Sequence, residues 1–171
     1  MEQDDTQLDM DEIKKRPKYL QVLCILSFIS IGIALLSGLF NLVSGPSSIE
    51  QIREMEVVMT NSVNEMERLN FDWLADMFEK GQAMAVEVNE SFYLASFVTI
   101  TYLLLGLLGV LKMWKGEKRG FHFYIAYCLL SVISMYLYIS PSNIPTFSVV
   151  FNLMFSGLFI LMYSRNLKWM R

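Results

Sequence analysis

The sequence predicts an all-α protein, a four-helix transmembrane bundle with an extramembrane amphipathic helical hairpin between spans 1 and 2. Three observations carry this. Four runs, Tyr19–Val43, Phe92–Leu111, Phe121–Ile139 and Thr146–Tyr163, contain no Lys, Arg, Asp or Glu, and each is about 18 to 25 residues long, enough for a helix to cross roughly 30 Å of hydrocarbon. The segment 44–91 is acidic and repeats its apolar side chains at helical spacing. Basic residues gather in the connections that an even number of spans puts on one side. Composition agrees, since 54 % hydrophobic residues and a mean hydropathy of +0.39 exceed what a soluble domain carries.

Taken in order, residues 1–18 open with a polar, acidic stretch that is expected to be disordered. Lys14, Lys15, Arg16 and Lys18 then form the basic flank of a signal anchor. A cleaved signal peptide is the alternative, opposed by the length of the apolar run and by the lack of an A-x-A-like site. The first span, 19–43, carries small and polar residues along one stripe, Ser27, Ser30, Ala34, Ser37 and Asn41, with Gly38 beside it. Such residues let helix backbones approach in lipid, where no water drives association, so this face is expected to pack against the other spans.

In the outer segment Ile52, Met55, Met59, Val63, Met66, Leu69 and Trp73 alternate steps of three and four, which places them on one helical face with glutamates opposite. Ser48 with Gln51 resembles a capping box, and Pro46 keeps the first span's helix from running on. Leu74, Met77, Gly81, Met84, Val88 and Ala95 continue the pattern into the second span. Two arms follow, Ser48–Leu69 and Asp72–Glu90, each on the order of 30 Å long. They turn at Asn70-Phe71-Asp72, where Asn tolerates turn geometry and Asp72 is placed to cap the second arm. The rival readings break the helix at Gly81 or lay the first arm on the membrane, but its face is acidic and lacks the Lys and Arg of interfacial helices.

The second span, 92–111, has a stripe of Thr99, Tyr102, Gly106 and Gly109. The third, 121–139, and the fourth, 146–163, are joined by the short uncharged loop 140–145 and form an antiparallel pair. In the fourth, Ser148, Asn152 and Ser156 recur every four residues, and Asn152 is expected to hydrogen-bond a neighbouring helix, because an unpaired amide in hydrocarbon is costly. Asn41 and Asn152 lining a polar pathway is the functional alternative. Aromatic residues are expected as interfacial belts, Tyr19, Trp114, Phe121, Tyr124, Tyr163 and Trp169 at one boundary and Phe92, Tyr93, Tyr136 and Tyr138 at the other.

Charge sets the orientation. Loop 112–120 carries Lys112, Lys115, Lys118 and Arg119 against Glu117, and the tail 164–171 carries Arg165, Lys168 and Arg171, whereas 44–90 has three basic residues against ten acidic ones. The positive-inside rule puts both termini and the basic loop in the cytoplasm and the hairpin on the periplasmic or extracellular side.

Arg16-Pro17-Lys18-Tyr19-Leu20-Gln21-Val22-Leu23-Cys24-Ile25-Leu26-Ser27-Phe28-Ile29, together with Met113-Trp114-Lys115-Gly116-Glu117-Lys118-Arg119-Gly120-Phe121-His122-Phe123-Tyr124-Ile125, resembles a group of uncharacterised small four-span bacterial membrane proteins. The likeness covers most of the spans and is weaker in the outer segment. It implies a Gram-negative inner membrane and brings no activity with it.

Catalytic motifs are missing: no Gly-rich phosphate loop, H-E-x-x-H or G-x-S-x-G is present. The single histidine, His122, borders a span, so a His-based triad or metal site within the chain is not expected. Cys24 and Cys128 lack metal spacing and read as small core residues. The methionines of the outer segment could bind Cu(I), but their place on the apolar face favours a helix interface. The outer acids lack Ca²⁺-loop spacing. No catalytic, cofactor or metal residue is assigned, and no nucleic-acid partner is expected. Lipid bilayer apart, the expected partner is another copy of the chain or an envelope protein, met through a hairpin surface of Ile52, Met55, Met59, Met66, Leu69, Trp73 and Met77. A small channel or transporter subunit is the alternative and a membrane enzyme the third reading. The absence of intramembrane acids and bases argues against proton coupling.

Overall fold

The structure, a computed structural model, describes residues 17–170; the start of the chain, where disorder was expected, and most of its basic flank lie outside them. Among these residues six α-helices run in order, α1 (Lys18–Ser44), α2 (Ile49–Arg68), α3 (Asp72–Glu90), α4 (Phe92–Trp114), α5 (Arg119–Ile133) and α6 (Thr146–Ser164). Among the described residues there is no strand. Four segments, Lys18–Ser44, Phe92–Trp114, Arg119–Leu137 and Thr146–Ser164, are long and apolar enough to cross a membrane. The fold is therefore the all-α bundle with a helical hairpin that the hydropathy pattern calls for.

Each boundary has a local cause. Pro17 precedes α1, and Gly45 ends it with φ +79 and ψ −179, a conformation open essentially to glycine alone. At α2 the capping box forms: Ser48 Oγ accepts from the Gln51 N–H at 3.3 Å, and Gln51 Oε1 accepts from the Ser48 N–H at 2.9 Å. The same helix ends in a Schellman motif, with Asn70 at φ +58, its N–H on Glu67 O, and the Phe71 N–H on Met66 O. The turn falls at Asn70 as expected. Asp72 only opens the first turn of α3, and no side chain caps that helix, so its expected capping role is corrected. Gly81 lies inside α3 without breaking it.

The backbone ladder runs almost unbroken from α3 into α4. The Ser91 N–H bonds Glu87 O at 3.0 Å, and the Ala95 N–H bonds Ser91 O at 2.9 Å. The third span ends differently from a plain helix: after Ile133 it tightens into a 3₁₀ turn, Ser134–Leu137. Ser131 Oγ donates to Cys128 O and Ser134 Oγ to Ser131 O, and such back-bonding draws hydrogen bonds away from the α ladder.

Helix α4 is central, packed most extensively against α5 on one side and α1 on the other, while α6 lies on α5 and only touches α1. The main core comprises Leu20, Leu23, Cys24 and Ile31 of α1, Leu103, Val110 and Met113 of α4, Phe121, Tyr124 and Cys128 of α5, and Tyr163 and Met170. Most of these residues come from the half of the bundle nearest the α4–α5 loop, with Ile31, Leu103 and Cys128 near mid-helix. Gly109 and Gly120 make that half possible, since a Cβ on Gly109 would sit 2.9 Å from Tyr124 N and 3.0 Å from Gly120 O. Backbone meets backbone there, as small residues allow in lipid.

One expectation is corrected at this end. Tyr124 and Tyr163 do not form an interfacial belt. Their rings lie 4.9 Å apart in the core, and the Tyr163 hydroxyl donates to Ser27 Oγ at 2.9 Å, the partner a buried phenol needs. The segment after α6 packs on the bundle: Met170 is buried, and the Trp169 ring lies 3.1 Å from where a Cβ on Gly116 would be.

Candidate functional site

Away from this core the molecule opens, and the residues singled out for function lie in the open part. The hairpin is built by α2 against α3, yet no residue of α2 is buried and Ala75 alone is buried on α3. Ile52, Met59, Val63 and Met66 are half-buried on the side facing α3, as is Met77 opposite. Met55 is only partly covered, and Leu69 and Trp73 stand exposed at the tip with Phe71. Val57 and Val58 are exposed on the flank of α2; the three-and-four spacing did not point to them, because they fall between its steps.

What holds the hairpin to the bundle is polar. Asn89, near the end of α3, accepts from the Ser47 N–H at 2.7 Å and donates Nδ2–H to Ser47 O at 3.3 Å, tying α3 to the α1–α2 linker. Two residues earlier, Glu87 accepts from the Ser140 N–H at 2.6 Å and from Asn143 Nδ2 at 2.9 Å, tying α3 to the α5–α6 loop and its 3₁₀ turn, Pro141–Asn143. Hydrogen bonds from Ser140 hold the Glu87 carboxyl below its ordinary pKa, because they favour the charged form. Sequence reasoning missed this clamp, whose partners are about fifty residues apart; the signal was an acid and an amide two residues apart just before a span.

Two clefts flank the hairpin base. One, of about 420 Å³, is lined by Asn41 and Gly45 at the end of α1, by Ile52, Met55 and Glu56 of α2, and by α3 from Gly81 to Asn89, with Phe92. The other, of about 700 Å³, adjoins it, shares Ile52, Glu56, Gln82 and Val86, and includes Glu79, Glu87, Glu90 and Asn143. In both, residues of α2 face residues of α3 in antiparallel order, Ile52 and Met55 toward Met84, Ala85 and Val88 in the first.

The packing candidates divide. Ser27 is buried, Ala34 packs on the core, and Gly106 lies so close to α5 and α1 that a Cβ would meet the Tyr127 ring at 2.8 Å and Ile31 at 3.2 Å. Gly109 sits at the α4–α5 crossing, and Gly38 is near Ile100 alone, at 3.9 Å. Ser30 and Asn41 are exposed, which corrects their assignment as packing residues. Asn152 and Ser156 are half-buried. Asn152 Oδ1 accepts from Ser156 of its own helix at 3.2 Å and meets Ser131 of α5 at 3.5 Å, the outer limit of a hydrogen bond. These side chains, with Ser27, Ser30 and Cys128, line a cavity of about 280 Å³ between α1, α5 and α6. Asn41 and Asn152 line different cavities, so they do not form one path within the chain.

At the opposite end, Gly116 at φ +83 closes α4 with a second Schellman motif, and the Lys112 ammonium pairs with Glu117 at 2.8 Å. That bond holds the Glu117 carboxyl below its usual range. His122 is exposed, its Nδ1 3.4 Å from Lys118 O. Among the described residues no three His, Cys, Asp or Glu gather in a metal-binding arrangement.

No curated protein matches the chain, and no solved structure does. Residues 13–147 match a family profile described as Domain of unknown function (DUF8777), a span that runs through the first three membrane-length helices and the hairpin and ends at the start of α6. Since it covers most of the sequence, the chain belongs to the DUF8777 family.

Proposed function

We propose that this protein is a non-enzymatic, multi-pass component of a bacterial inner membrane whose outward hairpin docks on a partner, either a second copy of the chain or an envelope protein. The observation that carries the reading is the apolar surface that the pairing of α2 with α3 leaves uncovered: Val58 is 65 % exposed, Leu69 59 % and Trp73 66 %. Membrane-facing exposure explains the apolar residues of the spans, but these three lie on helices too polar to be embedded. Basic residues at the end carrying Lys18, Lys112, Lys115, Lys118 and Arg119 support cytoplasmic termini, with the hairpin outside. The Gram-negative setting rests on the sequence resemblance.

Differently tagged copies, co-expressed and extracted in mild detergent, test the docking reading. Co-purification of the second tag, or of one envelope protein in stoichiometric amount, is expected from the native chain and is lost in Val58→Asp and Trp73→Asp. Equal recovery from the variants, or no partner at all, overturns it.

A channel or transporter subunit is the second reading, favoured by the serine and asparagine side chains around the cavity between α1, α5 and α6. Its mark is solute flux in liposomes carrying this protein alone, sensitive to Asn152→Leu.

A further inference from the structure

The cleft of about 420 Å³ at the hairpin base has the size of a single-ligand site and a graded lining. Its inner end is formed by Asn41 and Phe92, which belong to the outer ends of α1 and α4. Next to them Phe40, Val43 and Tyr93 are strongly exposed apolar residues of the surface that meets lipid. Its walls are Ile52, Met55, Met84, Ala85 and Val88, and its outer end is Gly81, Gln82 and Glu56. From Gly81 to Phe92 the chain rises roughly 16 Å at 1.5 Å per residue, close to one leaflet's share of a hydrocarbon core about 30 Å thick.

The polar groups are as specific as the walls. The lining contains one carboxylate, Glu56, and no basic residue. Among the described residues Glu56, Gln82 and Asn41 make no side-chain hydrogen bond to protein, whereas Asn89 is occupied by Ser47. Glu56 is an acceptor for an ammonium, and the two amides are donors for phosphate and ester oxygens. With no cation to offset Glu56, a net anionic headgroup is disfavoured there.

We propose that this cleft binds one zwitterionic phospholipid with an amine headgroup, drawn part-way out of the hairpin-side leaflet. Its ammonium meets Glu56, and an acyl chain runs between Ile52, Met55, Met84 and Val88 to Phe92. The site is separate from the apolar flank and tip offered for docking, and it needs only that the spans lie in a bilayer.

The test uses the full chain, reconstituted in vesicles of equal phosphatidylethanolamine and phosphatidylglycerol, extracted in mild detergent and weighed by native mass spectrometry. One retained phosphatidylethanolamine per chain is expected. Gly81→Leu adds bulk at the outer end of the cleft, where a Cβ meets nothing within 4 Å, and should lower retention about tenfold, equivalent to about 1.4 kcal/mol. Glu56→Gln, an exposed surface change, should abolish the preference between the two lipids while leaving the helical circular dichroism unchanged. Retention of no lipid, equal retention of both lipids by the native chain, or unchanged retention in both variants overturns the proposal.

Discussion

The two ends of this bundle are built on different principles. Near the α4–α5 loop the helices close backbone to backbone over Gly109 and Gly120, the Tyr163 hydroxyl is bonded to Ser27, and the last residues fold back onto Gly116. Toward the hairpin the main core gives out: a few apolar residues, Ala95, Ile139 and Ile144, are buried around the base of α3, and the side chains of Asn89 and Glu87 tie α3 to the neighbouring loops. Small residues alone do not close a helix pair; they do so where a partner backbone is present to meet them. Ser30 and Asn41 share a stripe with Ser27, yet only Ser27 is buried.

The comparison predicts a ranking. Gly109→Leu should be the most damaging change, because its side chain would start 2.9 Å from a backbone nitrogen. A loss of about 1–3 kcal/mol or more is expected from overpacking, read as a lower melting temperature in detergent, and Gly157→Leu, where a Cβ meets nothing within 4 Å, should be nearly silent. Equal effects would remove the distinction between the closed and open halves. Tyr163→Phe comes next, at about 1 kcal/mol for a lost buried hydrogen bond that leaves Ser27 unpaired.

In the hairpin, Met66→Ala should cost about 1 kcal/mol, below the range for a fully buried methionine because the contact is open to water, and it should appear as faster amide exchange in α2 with the bundle's melting temperature unmoved. Asn89→Ala should cost about 0.5 kcal/mol, at the low end for an exposed hydrogen bond, with exchange rising at Ser47. The smallest effect is local and depends on pH. The carboxyl of Glu87 has a folded pKa below its ordinary 4.5, so its contribution is fully present above that value and is lost as pH falls through the lowered one. Exchange at residues 140–143 should therefore be flat from pH 7 to 5, after correction for intrinsic rates, and rise only as pH falls through the lowered pKa of Glu87, below its ordinary 4.5. Glu87→Gln should remove that step.

Much of the fold was legible because it rests on local rules. Charge-free runs mark the spans, Ser48 and Gln51 cap α2, and Asn70 supplies the left-handed turn that lets two amphipathic arms pair. The rest depends on long-range proximity that spacing does not encode. Nothing about Gly120, read as the end of a basic loop, shows that its backbone meets Gly109. Tyr124 and Tyr163 have the composition of a belt until Ser27 is placed beside them. The Glu87 clamp joins segments that only the returning α5–α6 loop brings together. Val57 and Val58 matter because α3 covers the other side of α2.

The docking proposed for the hairpin depends on its lying across the membrane from the basic loop, outside the cytoplasm. Cysteines introduced singly at Val58 and at Lys118, both exposed, answer this in intact spheroplasts treated with a membrane-impermeant thiol reagent, the native Cys24 and Cys128 being buried. Labelling of Val58→Cys before lysis, with Lys118→Cys labelled only after it, is the predicted result. Labelling of Lys118→Cys in intact cells with Val58→Cys protected would contradict the account.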